Sequence, residues 1–111
     1  MNWQTLSAID QLHQIDELSK TKNILIFKHS TRCSISDAAL NRVERNWKAE
    51  DETSLMPFYL DLLKRRDVSN AIAQHYQIEH QSPQALIIKN GKCIFSQTHS
   101  AIRLEELLKA Q

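Results

Sequence analysis

The stretch Ile24-Leu25-Ile26-Phe27-Lys28-His29-Ser30-Thr31-Arg32-Cys33-Ser34-Ile35-Ser36 decides how the rest of the 111-residue chain is read. Its first four residues form a continuous apolar, partly β-branched run, which marks a strand covered on both faces and therefore a central one. The polar residues that follow predict a loop, with Ser30 or Thr31 capping the next helix. Ile35, Ala39, Val43 and Trp47 then recur every four residues, with Leu40 beside them, as on one face of an amphipathic helix. Cys33 thus stands where a buried strand hands over to the first turn of a helix. The unsatisfied amides of such a turn favour a thiolate, the nucleophilic form of the side chain. Lys28, His29 and Arg32 add basic groups, and no carboxylate intervenes up to Ser36. Position alone is equally compatible with an inert packed thiol.

Outward from this stretch, the pattern alternates. Trp3 to Leu6 reads as a short extended piece. Ser7 is the expected N-cap of a helix carrying Ile9, Leu12, Ile15 and Leu18 and ending near Thr21–Asn23. Beyond the cysteine helix, Ala49–Thr53 is a polar connection, and Leu55 to Leu63 reads as a strand. Pro57 makes that strand an edge, or one paired only past the proline. A helix follows from Asp67 or Ser69, with Val68, Ile72 and Tyr76 on one face. Ser82-Pro83 opens a second buried strand, Ala85 to Ile88. Asn90-Gly91 is the signature of a type I′ hairpin turn, returning the chain through Lys92 to Gln97. Ser100 is the expected cap of a last helix with Leu104, Leu107 and Leu108 inward and Glu105 paired with Lys109. The order (β)αβαβαββα implies an α/β fold, one domain over residues 1–111, in which strands separated by helices pair in parallel through right-handed crossovers and the Asn-Gly hairpin adds an antiparallel strand at one side, giving a mixed sheet of four to five strands with helices on both faces.

Composition excludes several classes. The chain is 41% hydrophobic and 24% charged, inside the globular range. Fourteen Lys plus Arg against thirteen Asp plus Glu give +1, and Asp61 and Asp67 bracket the basic cluster Lys64-Arg65-Arg66. Neither nucleic acid nor a membrane is an expected partner. No apolar run approaches the ~20 residues that span a bilayer, and the N-terminus does not read as a secretory signal. Two cysteines are too few for a disulfide scaffold, so a reducing, cytoplasmic location is expected. The histidines show no zinc-ligand spacing, and no metal is expected.

The layout, with a Cys-x-x-Ser element at one helix start and an X-Pro bond before a buried strand, is that of the thioredoxin fold. Phe27 to Cys33, Val68-Ser69-Asn70-Ala71-Ile72-Ala73 and His80-Gln81-Ser82-Pro83-Gln84-Ala85 resemble the monothiol bacilliredoxin family of bacillithiol-using bacteria, over Trp3 to Leu108. The resemblance implies Cys33 as catalytic nucleophile and Ser36, in place of a resolving cysteine, as a hydrogen-bond donor to its thiolate. Thr31, Arg32 and Ser34 beside the thiol, with Ser82 and Pro83 on a cis-proline loop, are the expected substrate contacts. His29 and His99 are auxiliary candidates. Ser34 stands where the family often has proline, and Gln81 where an acidic residue is frequent.

The implied activity is removal of a small thiol from S-thiolated proteins, by a monomer using bacillithiol as co-substrate, no tightly bound cofactor, and a thiol–disulfide reductase for recycling. Two alternatives stand beside it: an iron–sulfur module like some monothiol glutaredoxins, and a redox-inactive scaffold. The iron–sulfur reading lacks the glycines those proteins use, because the only glycine is Gly91. Cys93 is expected to pack rather than resolve. Gln84 to Lys89 spans roughly 20 Å, whereas a disulfide needs Cα atoms within about 7 Å.

Overall fold

The computed structural model describes residues Met1–Gln111. Five strands form one sheet in the order β1-β3-β2-β4-β5. They are β1 (Gln4–Thr5), β2 (Asn23–His29), β3 (Leu55–Asp61), β4 (Gln84–Lys89) and β5 (Lys92–Thr98). The helices are α1 (Gln11–Leu18), α2 (Ser34–Asn46), α3 (Arg66–His75) and α4 (Leu104–Lys109), with 3₁₀ turns at Ala49–Thr53 and His99–Ala101. No helix is long and apolar enough to cross a membrane.

The apolar run of β2 is central, and its alternation builds two cores. Ile24 and Ile26 join Leu12, Ile15, Val68 and Ile72 under α1 and α3. Leu25 and Phe27 join Ala39, Val43, Leu104 and Leu107 under α2 and α4. Each fully buried side chain of this kind is worth ~1.5–3 kcal/mol of transfer free energy. That is why a run apolar on both faces settles in the middle of the sheet.

Several local expectations are corrected. β3 is not the edge: it lies between β1 and β2. Pro57 is in register with Leu25, while β1 pairs only with Phe58 and Tyr59. The outer ladder therefore begins one residue past the proline, where an N–H is again available. β4 runs antiparallel to β2 although α3 precedes it. β3 ends with Asp61 beside His29, and β4 starts with Gln84 beside Lys28. The segment between α3 and β4 returns the chain to the end of the sheet it had left, and this reverses the strand.

Ser7 is not a cap, because the Gln11 side chain accepts from the Ser7 and Ala8 amides at 2.7 and 2.8 Å. α1 accordingly starts at Gln11, and Ile9 and Leu18 stay exposed. The cap of α2 is Cys33, not Ser30 or Thr31, and Ile35 points to solvent. A 3₁₀ turn displaces Ser100, so α4 starts after Arg103. The hairpin behaves as read: Asn90 and Gly91 have φ of 51° and 74°. Ser19 fastens it, accepting from Asn90 N–H with its carbonyl at 3.0 Å and from Gly91 N–H with its hydroxyl at 2.8 Å.

Candidate active site

β2 ends at His29, and the chain turns at once: the Cys33 N–H donates to the Ser30 carbonyl at 3.2 Å. Cys33 is the extended N-cap of α2, at φ −119° and ψ 120°. Its carbonyl accepts the first helical bond, from Asp37 N–H at 3.0 Å. The amides of Ser34, Ile35 and Ser36 precede that bond, so the thiol-bearing residue faces the positive end of a helix of 13 residues. Cys33 is partly exposed, and Thr31, Arg32 and Ser34 around it are exposed.

Pro83 arrives from the other side. The Ser82–Pro83 bond is cis. Gln84 pairs with Lys28, which brings the buried Pro83 abreast of His29, at the sheet end from which the Cys33 turn departs. The Pro83 carbonyl accepts the His99 N–H at 3.1 Å. His99 is therefore tied to this end of the sheet through its backbone, at φ 54°, and its ring is exposed.

Ser36 requires a correction. It is fully buried, and its hydroxyl does not bond the Cys33 sulfur. Its Oγ lies 2.6 Å from His29 Nδ1 and accepts the Ser30 N–H at 3.0 Å. His29 Nε2 lies 3.3 Å from Asp37 Oδ1. His29 is thus a buried link between Ser36 and Asp37, packed against the ring of Tyr59 at 5.8 Å. Burial raises the Tyr59 pKa, and the carboxylates of Asp61, Glu44 and Asp37 add to the effect. Asp37 and Tyr59 were not singled out from the sequence. Asp37 is the first acid after the basic stretch, and its place in the first turn of α2 was the available signal.

Lys28 is also corrected. Strand alternation sends its side chain to the opposite face from His29, into the α3 side of the sheet. There Nζ donates to the Ser69 carbonyl at 3.2 Å and lies 3.3 Å from His80 Nδ1. Ser69 Oγ also lies 3.2 Å from that nitrogen. Lys28 has no carboxylate partner, and burial pushes its pKa down to about 8. His80 is lowered too, by desolvation and then by the charges of Lys28 and Arg66. The cationic character expected near Cys33 therefore comes from the helix start and the exposed Arg32, not from Lys28.

Cys93 sits opposite Ile88, which pairs with Ile24 at the start of β2, whereas Cys33 lies past the end of β2. Both thiols are free. The Cys93 Sγ donates to the Phe95 carbonyl at 3.4 Å, and burial raises its pKa. Of the other histidines, His75 Nε2 bonds Asp16 Oδ2 at 2.6 Å. No three His, Cys, Asp or Glu side chains converge as a metal site.

A sheet of this order, with the cysteine at a helix start and a cis-proline at the same end of the sheet, defines a protein of the thioredoxin fold. A solved structure described as a proposed oxidoreductase with a thioredoxin fold superposes with a TM-score of 0.82 at 32% identity, covering 96% of this chain and 90% of that one. Thioredoxins from Malassezia sympodialis and Fasciola hepatica superpose at 0.74 and 0.71, with 21% and 16% identity. The first covers 98% of this chain and 87% of its own, the second 96% and 93%. Within that fold, residues 4–107 match the family model described as monothiol bacilliredoxin BrxC, and the chain belongs to that family.

Proposed function

We propose that the protein is a monothiol thiol–disulfide oxidoreductase that frees protein thiols from bacillithiol through Cys33. The observation that carries this reading is the accessible Cys33 at the N-terminus of α2, at the same sheet end as Pro83. The Cys33 thiolate attacks the small-thiol sulfur of a mixed disulfide. The old S–S bond breaks, the protein sulfur leaves as a thiolate and takes a proton, and a new disulfide joins Cys33 to the small thiol. Ser34, Thr31, Arg32 and the backbone at Ser82 and Pro83 border the incoming disulfide. No second thiol lies within reach, because Cys93 is at the far end of the sheet. The adduct therefore waits for an external thiol or a reductase, and bacillithiol serves as co-substrate of a cytoplasmic monomer.

Incubation with bacillithiol disulfide, glutathione disulfide or buffer, followed by intact-mass measurement, tests the reading. A single bacillithiol adduct mapped to Cys33 supports it. Absence of any adduct at Cys33 overturns it, and a preferential glutathione adduct overturns the choice of small thiol.

A further inference from the structure

Arg42 lies on α2, the helix that Cys33 caps, and its guanidinium reaches across to the segment between β5 and α4. Nε and Nη2 donate to the Ile102 carbonyl at 3.3 and 3.1 Å, and Nη2 also donates to the Ser100 carbonyl at 3.4 Å. Neither carbonyl accepts a backbone N–H, so Arg42 is the donor that satisfies both. No carboxylate pairs with Arg42, which leaves its charge to strengthen these bonds. The other end of the segment is fastened to the proline. His99 donates its N–H to the Pro83 carbonyl at 3.1 Å, and the Ile102 N–H donates to the His99 carbonyl at 3.4 Å. His99 sits at φ 54°, in the left-handed region that disfavours a residue with a Cβ. Such a conformation persists where its surroundings hold it from more than one side, and it clusters at functional sites. Here the holders are Pro83 on one side and Arg42 on the other.

We propose that Arg42 is a positioning residue for the Cys33 site: it pins the bridge of residues 99–102 to α2 and so fixes the separation between Pro83 and Cys33 that a disulfide-bearing chain must fit. This rests on the reading of Cys33 as the nucleophile. One wall of the site is α2, with Cys33 at its start, and the other is the loop ending in Pro83. The bridge joins them through printed contacts at every step, from Arg42 to Ser100 and Ile102, from Ile102 to His99, and from His99 to Pro83. A small disulfide needs only the partly exposed thiol. A polypeptide must also lie along Ser82, whose amide and carbonyl make no backbone hydrogen bond within the protein. Loss of the Arg42 bonds frees the bridge from α2 and lets the two walls shift, which penalises the chain-bearing disulfide and spares the small one.

The test compares two mixed disulfides that share one leaving group, 2-nitro-5-thiobenzoate. One carries a short neutral peptide with a central cysteine, the other only 2-mercaptoethanol. In each, the Cys33 thiolate attacks the sulfur of the peptide or the mercaptoethanol, the S–S bond breaks, and the coloured nitrothiobenzoate leaves as a thiolate. Cys93→Ser protein is used so that one thiol reacts. Ionisation of Cys33 enters both rates equally, so their ratio cancels it. Arg42→Met keeps the aliphatic stem and removes the donors. Its rate with the peptide disulfide should fall about tenfold, as a modest misplacement does, while the mercaptoethanol rate stays within about twofold. Arg42→Lys keeps a cation without the fork, and its ratio should lie about threefold below the parent's. Amide hydrogen exchange reads the bridge itself. His99 should lose protection in Arg42→Met while the amides of β2 keep theirs, which separates a loosened bridge from an unstable fold. Where Arg42→Met does not fold, Arg42→Lys carries the test. An unchanged ratio in the folded variant, or an equal fall in both rates, overturns the proposal. Neither probe contains bacillithiol. A protein that forms no bacillithiol adduct yet loses the ratio on Arg42→Met refutes the bacillithiol reading and keeps this one; one that forms the adduct while the ratio holds does the opposite. A parent Cys33 that attacks neither probe overturns both.

Discussion

Replacing Lys28 by Met should stabilise the protein at neutral pH, and the gain should fade as the solution is made alkaline. Lys28 is fully buried beside Ser69 and His80, with no carboxylate partner. Its pKa falls from 10.5 in the unfolded chain to about 8 in the fold. At ~1.4 kcal/mol per unit, folding with the charge in place costs on the order of 3 kcal/mol more than folding with a neutral amine. The sign follows from proton counts. Between about pH 8 and the unfolded value the unfolded chain binds more protons than the fold, so stability rises with pH there. Below about 8 both states are protonated and the full penalty applies.

Met fills a similar volume without the charge, and it gives up hydrogen bonds to Ser69 and His80 worth ~1 kcal/mol each. A net gain of about 1–2 kcal/mol at pH 7 is expected, falling to zero or slightly below near pH 10. Urea unfolding under reducing conditions, with wild type and Lys28→Met compared at each pH, isolates the lysine from the tyrosines and thiols that titrate in the same range. A difference that does not change between pH 7 and pH 10 would show that Lys28 keeps its charge at no cost, and the burial argument would fall.

Three further outcomes follow from the geometry. Cys33→Ser should abolish removal of bacillithiol from a thiolated model protein, while Cys93→Ser should keep the rate within about twofold, as read by intact mass. Gly91→Ala should cost about 1 kcal/mol in urea unfolding: φ is +74°, and a Cβ there would meet nothing closer than 3.8 Å, so the cost is conformational alone. Ser36→Cys should shorten the life of the Cys33 adduct, by supplying a thiol one helical turn away. It should also lower stability by about 1–2 kcal/mol, because a thiol replaces the hydroxyl held by His29 and Ser30.

The sheet and the cysteine element were legible because their signals are local. Ile24 to Phe27 could only be a doubly covered strand, Asn90-Gly91 could only turn tightly, and Val68, Ile72 and Tyr76 mark one helix face. What was not legible depends on which end of the sheet a segment returns to. Nothing in Tyr76–Pro83 tells whether β4 will run with β2 or against it. Caps failed for the same reason: Ser7 and Ser100 are good capping residues, but a Gln11 side chain and a 3₁₀ turn satisfied the backbone first. Ser36 was placed correctly on α2, yet its hydroxyl answers to His29, seven residues back in the sequence.

The parity of β2 carries the last consequence. Lys28 and His29 are neighbours in sequence and were read together as positive potential at Cys33. In a strand they point to opposite faces, Lys28 toward Ser69 of α3 and His29 toward Ser36 of α2. Only the second shares a face with the cysteine helix. The same Lys28→Met variant that changes stability should therefore leave iodoacetamide alkylation of Cys33 at neutral pH within about twofold of wild type. Substitution of a lysine that helped to hold the thiolate would instead slow the reaction by about threefold or more. That result would place the Lys28 charge in the field of Cys33 and would contradict the division of the strand into two faces.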